Sequence, residues 1–417
     1  MQYYYFDLSS IDCQYLRERV NYSLASSSHV IAALMALSTV LAAPALNSPL
    51  TIEKYNGKTT GKHIVKVKDG HNMTDVQKEA GLAGNTSSVA TWPDMNSFAG
   101  PFPQKTLNLL LASGKVDWIC EDGIMNTTGT TITQTDAPWG LQRISQKAKL
   151  SSNSTSALNY KYTYDSSAGE GVDIYIVDTG INIAHVDFGG RASWGTTFGG
   201  YANADGNGHG THVAGTAGGT RFGVAKSAKL IAIKVLSDSG SGSVSDIISG
   251  LNWVMNKAKS TGRPSVTNLS LGGGASTALD NAVASLTKAG VHVVVAAGNS
   301  NVDAANTSPA RAPSAIAVGA TTIVDARASF SNYGSVVGVF APGANIISDW
   351  INSTTATNTL SGTSMASPHV AGLVAYLVKK DGNITPAAMR TKIQNLAVRN
   401  VISGIPSGTV NYLANNS

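Results

Sequence analysis

Apolar positions recur along most of the chain in two rhythms. Short apolar runs at 172–177, 230–236, 266–271, 291–297 and 315–320 are rich in β-branched residues and bounded by Gly, Pro or polar residues. Runs of that length without polar alternation predict strands buried on both faces. Between them, residues 244–260 and 279–288 carry apolar side chains at helical spacing, with Gly262 and Gly290 placed as C-terminal stops. The alternation predicts an α/β body, a parallel sheet with helices on both faces, whose sites lie beyond the carboxyl ends of the strands.

Upstream the rhythm changes. Residues 63–68 alternate as a strand, 74–83 and 106–114 read as short helices, and 116–120 as another strand, so 61–125 predicts a small α+β unit. A polar stretch at 126–131 has no periodicity and reads as an exposed linker of the kind proteases cut. Residues 30–43 are apolar and then small, too short for a bilayer span, and end in Ala43, Pro44 and Ala45. That pattern is the h-region and cleavage site of a secretory signal, which predicts export to the extracellular space. Residues 1–29 are long and Tyr-rich and mix Arg17 and Arg19 with Asp7, Asp12 and Glu18, unlike a short basic n-region. They fit a start codon placed too far upstream, or a cytosolic leader ahead of an internal anchor. The chain thus divides into a leader (1–45), a second segment (46–130) and one long body (131–417).

Charge and cysteine narrow the class. Only 13% of residues are charged and 42% are hydrophobic, against roughly 25% charged in an average soluble domain, so a disordered chain is excluded. A net charge of +5, scattered, is no nucleic-acid footprint. Two cysteines, Cys13 and Cys120, are too few for a disulfide scaffold, and both precede the body.

Three segments carry chemistry. Asp178 follows the last β-branched residue of a predicted strand, at the sheet's carboxyl edge. His209, in Gly208-His-Gly-Thr-His212, and Ser364, in Ser361-Gly-Thr-Ser-Met-Ala-Ser-Pro-His369, each sit where a Gly-containing loop enters an apolar helix. Pro368 is expected in that helix's first turn, where proline is tolerated. A serine hydroxyl needs a base to take its proton, histidine suits that task near neutral pH, and a buried aspartate fixes the histidine's tautomer. Asn299, after the run 291–297, offers an amide to a developing oxyanion, with the Ser364 N–H as second donor. His209 and His212 could instead bind a metal, but no zincin Glu accompanies them, so no metal is assigned. His212, His369, His292 and His185 read as structural. The G-x-S-x-G elbow of α/β-hydrolase esterases is absent.

These segments resemble the subtilisin-like serine proteases, specifically the fungal proteinase K and cuticle-degrading group. The likeness runs over 137–413 and rests on Ala137-Pro-Trp-Gly-Leu141, Val177-Asp-Thr-Gly180, Gly208-His-Gly-Thr-His-Val-Ala-Gly-Thr216, Asn268-Leu-Ser-Leu-Gly-Gly273, Phe330-Ser-Asn-Tyr-Gly-Ser335 and the Ser364 segment, in the order Asp, His, Ser of subtilisin. It implies a three-layer parallel-sheet peptidase domain preceded by a ferredoxin-like inhibitor propeptide, which aids folding and blocks the cleft until cut near 128–132. It implies a monomeric serine endopeptidase acting on protein and peptide substrates, made as an autoprocessed zymogen, without nucleic acid or, after signal cleavage, membrane. Gly240, Ser241, Gly242, Ser270, Leu271, Gly272 and Gly273 would pair with an extended peptide, while Ala296, Ala297, Gly298 and Thr363 line the pocket before the cut. No acidic residue stands among these positions, which implies an apolar or aromatic preference, and Val244 implies a more open outer pocket.

Two departures follow from the same resemblance. The group's calcium site takes carbonyls matching Pro313 and Ala315 and an aspartate whose position here is Gly338. A cation loses most of its attraction without the anion, and Val401 stands at the second site, so a calcium-independent fold is expected there. Val213 replaces the group's free thiol beside the histidine, and the body has no cysteine at all. Asn153, Asn306, Asn352 and Asn383 head N-x-Ser/Thr sequons and are candidate glycosylation sites; Asn268 also heads one, in a buried strand, and is discounted.

Overall fold

The structure is a computed structural model and describes residues 50–55, 57–82, 88–124 and 130–416. The expected signal segment, Cys13 and linker residues 125–129 lie outside them.

A nine-stranded sheet forms the centre of the body. Its order is Val398–Arg399, Tyr412–Leu413, Val337–Pro342, Ile316–Thr321, His292–Ala296, Ser265–Leu269, Asp173–Asp178, Lys229–Lys234, Ala192–Thr197. All neighbours run parallel except the first pair. Period-two alternation sorts the central strand: Ile174 and Ile176 face the layer holding the helices His209–Gly218 and Thr363–Asp381, while Tyr175 and Val177 face Val244–Thr261 and Thr277–Lys288. Both sheet faces are therefore covered, which is why these strands read as unbroken apolar runs. The chain reaches this strand, goes out to Lys229–Lys234 on one side, and returns to Ser265–Leu269 on the other. That reversal creates a crevice at the carboxyl ends of the strands, where α/β sheets place their sites.

The helix Thr363–Asp381 is buried on almost every side through Val378, Ser364 being half-exposed, so it is a core element rather than an amphipathic surface helix. Here one expectation is corrected: Pro368 is not in the first turn but in the second. A proline there cannot donate to the carbonyl four residues back, that of Ser364. The hydroxyl of Ser270 fills the gap, donating to Ser364 O at 2.7 Å.

Thr131 is already in a strand, Thr131–Ala137, paired antiparallel with Tyr160–Asp165, so the polar linker ends sooner than its composition suggests. Just beyond, Trp139–Ile144 is pinned to the body by a buried bidentate pair, Arg143 Nε and Nη2 to the two Asp325 oxygens at 2.7 and 3.1 Å. Residues 50–124 form a five-stranded sheet ordered Ile52–Glu53, Val116–Gly123, Thr59–Val67, Ser97–Gly100, Ala90–Trp92. With the helices Met73–Glu79 and Gln104–Ala112 it closes its own small core, including Val65, Phe98, Leu107, Leu110 and Ile119.

Candidate active site

Asp178 is the last residue of its strand and fully buried, and its Oδ1 lies 2.7 Å from His209 Nδ1. His209 opens its helix, and every orphan N–H of that first turn finds an acceptor. His209 N donates to Asn207 Oδ1 (3.1 Å), Gly210 N to Thr179 Oγ1 (2.9 Å) and Thr211 N to Asp205 Oδ2 (3.0 Å). A Cβ on Gly210 would stand 2.1 Å from the Gly180 carbonyl, so only glycine lets the helix start this close to the strand end. Burial alone would push the His209 imidazole down. The charge and hydrogen bond of Asp178, with a smaller contribution from Asp205, outweigh it and hold the ring above its ordinary value.

Ser364 is the second residue of its helix, so its N–H has no partner within the helix. Its hydroxyl donates to the Ser270 carbonyl at 3.2 Å. Asn299 is held by its oxygen, which accepts from Thr363 N (2.8 Å) and Thr363 Oγ1 (2.9 Å), leaving its NH₂ to point elsewhere. A Cβ placed on Gly362 would be 3.5 Å from both Asn299 Nδ2 and Ser364 N. Two donors therefore flank one small space beside the serine, and Gly362 leaves it open. Behind them buried Asn332 accepts from Ser300 N and Val302 N and donates to Ala297 O. Gly298, at φ +103, brings the chain so close that a Cβ would meet Asn332 Nδ2 at 2.4 Å.

A cleft of about 490 Å³ runs beside His209, walled by Gly240, Ser241, Gly242, Val244, Ser270, Leu271, Gly272 and Gly273 together with Leu236, Ile247 and Leu279. The expected pocket positions Ala296, Ala297, Gly298 and Thr363 do not share that wall. Ala296, Ala297 and Thr363 are buried, Ala297 in the core, and Thr363 is spent holding Asn299. Asp205, Thr179 and Asn332 were not singled out from the sequence, because their roles are hydrogen bonds made across the fold.

The histidines read as structural, His185, His212, His292 and His369, are all buried. Burial pushes the His212 ring down to about 3 while it hydrogen-bonds the Ile346 carbonyl, and pushes His369 down to about 4 beside the Met365 carbonyl. Asn153, Asn306, Asn352 and Asn383 are exposed, whereas Asn268 is buried and spends both amide ends on Ser270 and Ser367. At the expected calcium position the residues do not fit a cation. Arg390 donates to the Pro313 carbonyl at 2.6 Å, and a Cβ on Gly338 would lie 3.7 Å from Arg390 Nε and Gln394 Nε2. A guanidinium already occupies the space where the anionic ligand and its ion would meet.

A parallel sheet covered on both faces, with aspartate, histidine and serine gathered at its carboxyl edge, is the architecture of a serine hydrolase. The chain belongs to the subtilase family, whose model matches residues 169–412. It is 46% identical over 396 residues to the cuticle-degrading protease of Metarhizium anisopliae, covering 93% of this chain and 99% of the relative. It is 49% identical over 356 residues to the subtilisin-like serine protease AsES of Sarocladium strictum, 85% of this chain and 89% of the relative. Among solved structures, a cold-adapted subtilisin-like serine proteinase aligns with TM-score 0.63 at 46% identity, over 68% of this chain and 99% of that one. The fold is subtilisin-like and the protein is a serine endopeptidase.

Proposed function

We propose that the chain is an exported, autoprocessed zymogen whose body cleaves peptide bonds through a Ser364 acyl-enzyme. The reading rests on one observation above all: the 2.7 Å contact of His209 Nδ1 with buried Asp178, at the same sheet edge as the helix-start Ser364. Nδ1 bound to Asp178 leaves Nε2 as the base. To react, the Ser364 proton turns from the Ser270 carbonyl to His209 Nε2 as Oγ adds to the scissile carbonyl. The oxyanion forms between Asn299 Nδ2 and Ser364 N. The imidazolium then protonates the leaving amine, and water, activated by the same ring, releases the acyl group.

Exposed glycines at 240, 273 and 274 present backbone to an extended substrate, and main-chain pairing of that kind tolerates many sequences. Leu236, Ile247 and Leu279 in the cleft favour apolar or aromatic side chains, and Val244 at its mouth leaves the outer end open. Cuticle protein, the substrate in the name of the Metarhizium relative, is within reach of so permissive a cleft. Residues 46–130 are read as the propeptide, inhibitor and folding aid of a monomeric enzyme, with calcium unnecessary at the Arg390 position. Among the described residues no helix is long and apolar enough to cross a membrane.

N-terminal sequencing of protein from the culture medium tests the architecture: a start at 128–132 is expected, and one outside about 125–135 would overturn it. Ser364→Ala should abolish caseinolysis and leave 50–124 attached, whereas full activity would end the mechanism.

A further inference from the structure

One carboxylate beside the Asp178 and His209 pair has no part in the reaction as written. Asp205 accepts five hydrogen bonds: Oδ1 from Thr179 Oγ1 (2.9 Å), Gly208 N (2.9 Å) and Asn207 N (3.2 Å), and Oδ2 from Thr211 N (3.0 Å) and Thr211 Oγ1 (2.5 Å). Thr179 is the neighbour of Asp178; Gly208 and Thr211 bracket His209. The helix N-cap is Gly208, which has no side chain to cap with, so Asp205 supplies the cap from three residues earlier.

We propose that Asp205 is a positioning residue for the Asp178 and His209 pair, a clamp that fixes the strand end against the helix start. The proposal rests on the hydrolytic reading above.

Five converging donors require an acceptor-only group. An amide has a single oxygen and would turn its own N–H bonds against donors. Thr179 Oγ1 donates to Asp205 and accepts from Gly210 N, so the clamp closes a loop through both catalytic segments. A negative charge at this helix start is also favoured by the helix dipole. The other charged or titratable groups around His209 are few. Asp178 lies on its Nδ1, and His212, one turn along, is kept neutral by burial. Lys234 Nζ is held by Thr179 O and Asp238 Oδ1, both at 2.7 Å. Asp205 is thus the second carboxylate whose charge supports an imidazolium at 209.

The test compares wild type with Asp205→Asn, Thr179→Ala and Ser364→Ala, rates being taken per active site titrated with a sulfonyl fluoride and, for Ser364→Ala, per folded chain. Asp205→Asn should lower kcat about 10²-fold with KM little changed, the cost of a misplaced catalytic group. The acid limb of its kcat/KM profile should move to lower pH. If Asp205→Asn yields no folded protein, Thr179→Ala cuts the same clamp while leaving the Thr211 cap, and should show the same loss in kcat. Folded variants with wild-type kcat and an unmoved acid limb, even if less heat-stable, would overturn the proposal. Wild-type hydrolysis that survives Ser364→Ala would instead overturn the hydrolytic reading.

Discussion

Replacing Asp349 by asparagine should stabilise the enzyme, and by an amount that grows with pH. Asp349 ends the strand Ile346–Asp349, is fully buried, and neither carboxyl oxygen has a hydrogen-bond partner outside the carboxyl group of Asp187. A Cβ on Gly219 would lie 2.2 Å from Asp187 Oδ2 and 3.2 Å from Asp349 Oδ2, so both carboxyls face the same gap. His185 Nδ1, 3.4 Å from Asp349, accepts from Asp187 N while Nε2 meets the Ala356 carbonyl, so both ring nitrogens already have partners other than Asp349. Burial first, then the charge and hydrogen bond of Asp187, push the Asp349 carboxyl up to about 9 from 3.8, and Arg191 offsets only part of this. The folded state therefore holds a proton that the unfolded chain gives up above pH 4, and stability falls as pH rises from about 4 to about 9. At about 1.4 kcal/mol per pH unit, the loss at pH 7 is about 4 kcal/mol. An asparagine never ionises, and its NH₂ can still donate to Asp187. For a body of this size the gain is worth about 7 °C in Tm at pH 7. Melting curves in a Ser364→Ala background, which removes autolysis, should show the variant and its parent together at pH 4 and parting steadily towards pH 9. An equal Tm difference at pH 5 and pH 8.5 would refute the reasoning.

Asn299→Ala should lower kcat by about 10² to 10³, the cost found for such a donor in subtilisin itself, with KM nearly unchanged; a loss confined to KM would place Asn299 outside the oxyanion space. Arg390→Ala should cost about 1 kcal/mol, read as a small fall in Tm, because it removes a charged donor from the Pro313 carbonyl. Wild-type Tm should be the same in excess EDTA and in excess calcium, and a clear rise with calcium would contradict the fit of Arg390 to that space.

Much of this was legible in the sequence wherever the determinant is local. Buried strands announce themselves as β-branched runs, and an aspartate directly after one, or a His or Ser where a Gly-containing loop enters an apolar helix, can be placed at a sheet edge unaided. The edge strand Ala192–Thr197 gave no such signal, because it is only partly buried and carries no apolar run. Pro368 could be read correctly only once Ser270, 94 residues earlier than Ser364, was seen to take the carbonyl that proline leaves free. Thr363, expected to line the pocket, also clamps Asn299 through a hydrogen bond across 64 positions. Asp205 and Thr179 are 26 residues apart, and Arg390 and Pro313 are 77 apart. Periodicity carries no information about such pairs, which exist only after the strands have been ordered.

The central claim is that Ser364 is the nucleophile of a site built by Asp178, His209 and Asn299. Its most direct test is peptide mapping of the enzyme after phenylmethanesulfonyl fluoride, with hydrolysis followed in parallel. The account predicts one sulfonyl group per chain, on Ser364, with hydrolysis lost in proportion to labelling and no labelling in His209→Ala. Label on another residue, or full hydrolysis by a chain whose Ser364 is fully sulfonylated, would contradict it.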